Sequence, residues 1–88
     1  MSDNIKDFHK DLFEIILKLN TIDECVDFFN DLCTYKEIDS MASRIQAAKM
    51  LTEGKTFAQI SKQMDISSAT LSRVSKALRY GKGYKKLL

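Results

Sequence analysis

The sequence predicts an all-α fold of about five helices, the last two forming a helix-turn-helix. Three observations carry that expectation. The chain has no proline and three glycines, at 54, 81 and 83, so interior helix breakers are nearly absent. Three apolar-periodic runs open in the same way: Thr21-Ile22-Asp23-Glu24, Thr34-Tyr35-Lys36-Glu37 and Thr56-Phe57-Ala58-Gln59 all read T-x-x-E/Q. At that spacing a Thr hydroxyl and a Glu or Gln side chain cap each other's backbone N–H groups. Finally, charge is segregated. Residues 1–54 carry six basic against eleven acidic side chains, and residues 55–88 carry eight against Asp65 alone, so a balance of −5 gives way to +7.

At 88 residues the chain has room for one domain. The expected division is 1–54 as core and dimerisation helices, 55–80 as the helix-turn-helix and 81–88 as a short basic tail. A chain this small buries a modest fraction of its surface, so self-association is an expected remedy. No apolar run approaches the roughly 20 residues of a membrane span. The first residues alternate charged and apolar side chains without a signal-peptide core, and a cytoplasmic location is expected.

The first helix is expected from about Asn4 to Leu19. Ile5, Phe8, Leu12, Ile15 and Leu19 step by three and four along one face, and Phe13, Ile16 and Leu17 widen that face. A helix apolar over most of its girth needs cover on several sides, and a second subunit could provide it. The second helix should run from Ile22 to about Leu32 with Ile22, Val26, Phe29 and Leu32 inward. The third should run from Tyr35 to about Glu53 with Ile38, Met41, Ala42, Ile45, Ala48 and Leu51 inward. Gly54 then ends it, because glycine accepts the left-handed conformation that follows a helix. Cys25 and Cys33 fall within these apolar patterns and read as small, reduced core residues rather than a redox or zinc pair.

The fourth and fifth helices, Phe57 to Met64 and about Ser68 to Tyr80, are separated by a turn of about three residues, the spacing of a helix-turn-helix. Ile60 and Met64 supply the inward residues of its first helix, and Ser61 a small residue where the helices approach. Asp65 is a residue that tolerates positive φ in the turn, and Ile66 plugs it. Leu71, Val74 and Leu78 lock the second helix. Seven positions at fixed offsets agree. An ordinary helical hairpin would share several of them, but it would not predict the outer face. Ser67, Ser68, Ala69, Thr70, Ser72 and Arg73 are small, hydroxylated or basic, with no acid among them. Small side chains let a helix approach base edges, while Arg73, Lys76 and Arg79 can neutralise phosphates. These eight residues are the expected contacts to double-stranded DNA.

Residues from about Leu32 to Leu78 resemble the tryptophan repressor, and the whole chain resembles its short YerC/YecD-type relatives. The resemblance rests on Thr34, Ser43-Arg44-Ile45, Leu51, Gly54, Ala69-Thr70-Leu71-Ser72-Arg73 and Leu78, with Arg79-Tyr80-Gly81-Lys82-Gly83-Tyr84 matching the ending of the shorter branch. It implies an intertwined, all-α homodimer of the bacterial type whose two recognition helices read adjacent major grooves. It also implies an effector pocket at Thr34, Arg44 and Arg73, since the corepressor's ring lies between two arginines in that repressor. There the second arginine is followed by glycine, which leaves space for the ring. Here Val74 follows and would intrude, and Asp31 stands where a leucine lines the pocket. Tryptophan is therefore not expected to be the effector, and Arg44 reads more simply as a surface arginine pairing with an acid such as Asp31.

Taken together, the residues point to a sequence-specific DNA-binding regulator, repressor-like in kind. The alternative is a helix-turn-helix module or accessory factor that binds a protein without reading bases. A recognition helix rich in Ser and Lys, with no exposed aromatic expected, weighs against it. His9 is the sole histidine. The sequence shows no nucleophile–base set, metal cluster or phosphate-cradling loop, so neither an enzyme nor a cofactor is expected.

Overall fold

The structure is a computed structural model that describes residues 6–88. Its six helices are α1 (Asp7–Ile16), α2 (Ile22–Leu32), α3 (Tyr35–Thr52), α4 (Phe57–Gln63), α5 (Ser68–Tyr80) and α6 (Gly83–Leu87), with no strand among the described residues. They fall into two compact units, one ending at Thr34 and one spanning Tyr35–Leu88.

In the first unit, α1 is shorter than its sequence pattern suggests. Asn4 and Ile5, the expected start of the stripe, lie outside the described residues. The helix closes at Ile16 rather than Leu19, where Leu17 N–H bonds to the Phe13 carbonyl and the turn tightens through Lys18 N–H to Ile15 and Leu19 N–H to Ile16. The reciprocal cap at the start of α2 forms as its sequence dictates. Thr21 Oγ1 accepts from Glu24 N–H at 3.1 Å, and Glu24 Oε1 accepts from Thr21 N–H at 3.2 Å and Asn20 N–H at 2.9 Å. The inward roles expected of Ile22, Val26 and Leu32 are not met, because all three are at least half exposed. Neither α1 nor α2 has a buried residue. The apolar spacing was real, but a helix pattern records where an apolar face lies and not whether the same chain covers it.

The second unit holds the core: Ala47, Ala48 and Met50 of α3, Ile60 of α4, and Leu71 and Val74 of α5, with Leu51, Met64, Ile66, Leu78 and Tyr84 packed around them. Here too the expected face of α3 needs correction. Of Ile38, Met41, Ala42, Ile45, Ala48 and Leu51, Ala48 is buried, while Met41, Ala42 and Ile45 are exposed. Burial is confined to the last two turns, where α3 meets α4 and α5, and the two adjacent alanines let those helices approach closely.

Gly54 is in the left-handed region at φ 89°. Its N–H bonds to the Leu51 carbonyl at 3.0 Å and Lys55 N–H to the Met50 carbonyl at 3.1 Å, which completes a Schellman ending to α3. The cap at Thr56 repeats that at Thr21: Thr56 Oγ1 accepts from Gln59 N–H, and Gln59 Oε1 from Thr56 N–H. The expectation that Asp65 adopts positive φ is not met, since no residue other than glycine does so among the described residues. The turn is made with extended backbone instead, Met64 at φ −146°, ψ 153° and Ser67 at φ −71°, ψ 152°. At the end of α5, Gly81 N–H bonds to the Ala77 carbonyl at 2.8 Å. A Cβ at Gly81 would lie 2.6 Å from that oxygen, so the close approach itself demands glycine. The tail beyond it is helical over Gly83–Leu87 and is tied back by Lys85 Nζ, which donates to the Arg79 carbonyl at 2.7 Å.

Candidate nucleic-acid interface

The helix-turn-helix is formed by α4, the turn at Met64–Ser67, and α5. Ile60 and Leu71 are fully buried and Val74 is 2% exposed, so the two helices are fixed by their expected inward residues. Met64, Ile66 and Leu78 are half-buried beside them. Ser61, expected at the close approach of the helices, is exposed; the small residues at the packed contact are Ala47 and Ala48 of α3.

This arrangement leaves one side of α5 open. Ser68, Ala69, Ser72, Arg73, Lys76 and Arg79 are exposed, and Ala69, Ser72, Lys76 and Arg79 follow one another at spacings of three and four along the same face. Ser67 is the N-cap rather than a free hydroxyl. It accepts from Thr70 N–H at 3.1 Å and donates to Thr70 Oγ1 at 2.9 Å, which fixes the first turn and leaves Thr70 half-buried. No acid occurs in α5, so the positive end of its dipole is uncompensated by side chains. Arg73 and Lys76 make no ion pair or hydrogen bond among the described residues, while Arg79 lies 6.0 Å from the centre of the Tyr80 ring. Tyr80 is 75% exposed, so α5 does carry an exposed aromatic at its last position, contrary to expectation.

Clefts open on the Tyr35–Leu88 unit. Arg44 and Arg73, the arginines of the expected effector pocket, share a cleft of about 240 Å³ with Ser40 and Thr70. Thr34, the third residue of that expectation, closes the preceding unit. Arg44 Nε donates to the carbonyl of Ser40 at 3.4 Å, the bond of a side chain lying back along its own helix. Ser40 went unremarked in the sequence, although its position four residues before Arg44 places both on one face of α3. A larger cleft of about 640 Å³ is lined by residues that include Phe57, Leu78 and Tyr84 as well as Lys55, Arg79 and Lys85.

Residues 8–88 match the model of the Trp repressor protein family. The chain belongs to the Trp repressor family. It is 49% identical over 70 residues to the uncharacterized protein YerC of Bacillus subtilis (strain 168), an alignment covering 80% of this chain and 67% of that one. It is also similar to the crystal structure of a TrpR-like protein from Eubacterium eligens, with a TM-score of 0.88 and 42% identity over 93% of this chain and 86% of the other. A candidate Trp repressor from Staphylococcus aureus gives a TM-score of 0.90 and 41% identity over 96% of this chain and 85% of that one. The family is one of regulators rather than enzymes, and the all-helical fold is the one the sequence predicts. None of the described helices is long and apolar enough to cross a membrane, and no cluster of three His, Cys, Asp or Glu stands among the described residues.

Proposed function

We propose that this protein is a sequence-specific DNA-binding regulator of transcription, repressor-like, that works as a homodimer in the cytoplasm with α5 in the major groove. The exposed, acid-free face of α5 carries the reading. A helix that offers small and hydroxylated residues in its first turns and three cations behind them matches what a duplex presents, base edges in the groove and phosphates at its walls. Ser68, Ala69 and Ser72 face the bases; Arg73, Lys76 and Arg79 hold phosphates. Ser67 and Thr70 set the first turn through their mutual hydrogen bonds.

The first unit supports the dimer reading. Its helices of 10 and 11 residues are at the length where an isolated helix is marginal, and they leave large apolar side chains exposed. A second copy would cover them. Sedimentation equilibrium at micromolar concentration should give a mass near twice 10.1 kDa; a well-folded monomer overturns the dimer. Binding selection from random duplex DNA tests the main reading. A shared sequence should emerge, with pseudo-twofold symmetry if both α5 helices engage. Failure to enrich any duplex, with capture of a protein partner through α5, would put the protein-interaction reading ahead. Tryptophan is not the effector in this reading, because the cleft of Arg44 and Arg73 is otherwise lined by Ser40 and Thr70 and offers an indole no apolar wall; Val74, expected to intrude on the ring, is instead buried in the core and does not line the cleft. Calorimetric titration with tryptophan should show no micromolar binding.

A further inference from the structure

We infer that the larger cleft, lined by the end of α3, the start of α4, the end of α5 and α6, binds a small amphipathic organic acid. Its aryl or alkyl body meets Phe57 and Leu78, and its carboxylate is held by Lys55 and Arg79. The site is separate from the cleft of Arg44 and Arg73, with which it shares no lining residue.

The lining decides the ligand class. At about 640 Å³ the cleft falls within the roughly 300–1,000 Å³ of pockets that take drug-sized ligands. Leu51, Leu78 and Tyr84 pack against the buried core, which gives the cleft an apolar side, and Phe57 adds a ring that is 40% exposed. Lys55, Arg79 and Lys85 also line it, and no acid does. Like charges gathered in one cleft repel, and an anion among them relieves that repulsion. Lys55 decides the sign of the ligand. It is half-buried, and its ammonium makes no ion pair or hydrogen bond among the described residues, so part of the side chain leaves water with no counter-charge supplied. Arg79 makes no ion pair among the described residues either. Lys85 Nζ spends one proton on the Arg79 carbonyl at 2.7 Å, which ties α6 to the end of α5 and keeps two protons for a ligand. A small inorganic anion would leave the side of Phe57 and Leu78 unused, and a neutral apolar ligand would leave the cations unpaired. A free amino acid is disfavoured, because its ammonium would meet the same cations. An organic acid satisfies both sides.

Arg79 also holds a phosphate in the proposed function. A bound acid therefore takes Arg79 from the duplex and lowers DNA affinity, which makes the cleft an effector site that opposes binding. This consequence, unlike the site itself, rests on the DNA-binding reading of α5.

The test titrates phenylpropionate, its neutral amide phenylpropanamide, and acetate into the full chain while backbone amide resonances are followed by NMR. Phenylpropionate alone should give a saturable shift at Lys55, Ser75 and Tyr84, which line the cleft. Lys55→Gln, checked for fold by circular dichroism, should weaken that binding about tenfold, the worth of one charge-assisted hydrogen bond. Lys49→Gln, which removes an exposed cation of α3 outside the cleft, should not. Phenylpropionate should also weaken binding of a selected duplex to the wild-type protein, and higher concentrations should be needed with Lys55→Gln. Equal shifts from the amide overturn the assignment to an acid, and the absence of a saturable shift at these residues overturns the site. If no compound binds and Lys55→Gln lowers the mass found by sedimentation equilibrium, the cleft is a contact between copies and the ligand site is overturned. Binding that leaves DNA affinity unchanged overturns the effector role. If the wild-type protein binds no duplex even without the acid, the reading of α5 has failed, and the NMR titration alone decides the site.

Discussion

The unit ending at Thr34 and the unit Tyr35–Leu88 are both helical, yet they use apolar residues in opposite ways. The second gathers six buried residues from three helices into its own core. The first has amphipathic helices of 10 and 11 residues and buries no residue of either, with Leu17 and Ile22 each 82% exposed. Charge divides at the same place. Residues 1–34 carry three basic and eight acidic side chains, and residues 35–88 carry eleven and four, so the balance changes from −5 to +7 across Thr34. One unit is thus a finished packing arrangement with a cationic surface. The other is acidic, and none of its described residues is buried.

The largest effect that sharpens this contrast is on stability. Leu71 is fully buried at the junction of α3, α4 and α5. Leu71→Ala should cost about 2–5 kcal/mol, because it removes burial and leaves a cavity in a small core. Leu17→Ala, at the exposed end of α1, should cost far less at concentrations where the protein is monomeric. Urea unfolding at several protein concentrations measures both. A cost for Leu71→Ala below about 1 kcal/mol would mean that the second unit is not held by the core described for it.

The next effect concerns recognition. Ala69→Glu places an acid on the exposed face of α5 without touching Leu71 or Val74. The variant should keep its circular dichroism and melting temperature and lose specific binding to a selected duplex. A wrong base contact alone costs about 1–3 kcal/mol, and a carboxylate facing phosphates adds repulsion. Unchanged affinity in a folded variant would remove α5 as the reading element.

Most of the architecture was legible in the sequence, and what was missed has a common cause. Local chemistry fixes ends. The Thr21 and Thr56 caps, the Gly54 terminator and the bounds of α5 depend on side chains within a few residues of the backbone groups they satisfy. Facing depends on partners distant in sequence. The stripe Ile38, Met41, Ala42 and Ile45 was correctly seen as apolar, but nothing in its spacing tells whether α5 or a second chain covers it. The turn at Asp65 departs from the sequence expectation because a residue that tolerates positive φ is not obliged to adopt it when extended backbone closes the same gap. The exposed, acid-free face of α5 was legible as such. The cleft at Arg44 and Arg73 was legible through family resemblance, and its polar character emerged once Ser40 and Thr70 were seen beside them.

The smallest effect compares one substitution made in both units. Lys10→Ala removes the ion pair with Glu14, whose N–O distance of 3.8 Å joins two side chains that are 63% and 58% exposed. Solvent screens such a pair, and a Lys placed four residues before a Glu is the weaker of the two orientations on a helix, so at most about 0.2–0.5 kcal/mol of stability is expected to be lost. DNA affinity should be unaffected under the proposed function, which gives the duplex to α5 of the other unit. Lys76→Ala should behave in the opposite way. It breaks no ion pair or hydrogen bond among the described residues, and alanine is the better helix former, so stability should hold or rise slightly. Binding should nevertheless weaken on every duplex, with the salt slope falling by about 1 for the lost phosphate contact. Salt titrations of both variants against one selected and one scrambled duplex make the comparison. If Lys10→Ala flattened the slope as much as Lys76→Ala does, the division of labour between an acidic unit and a DNA-facing unit would be wrong.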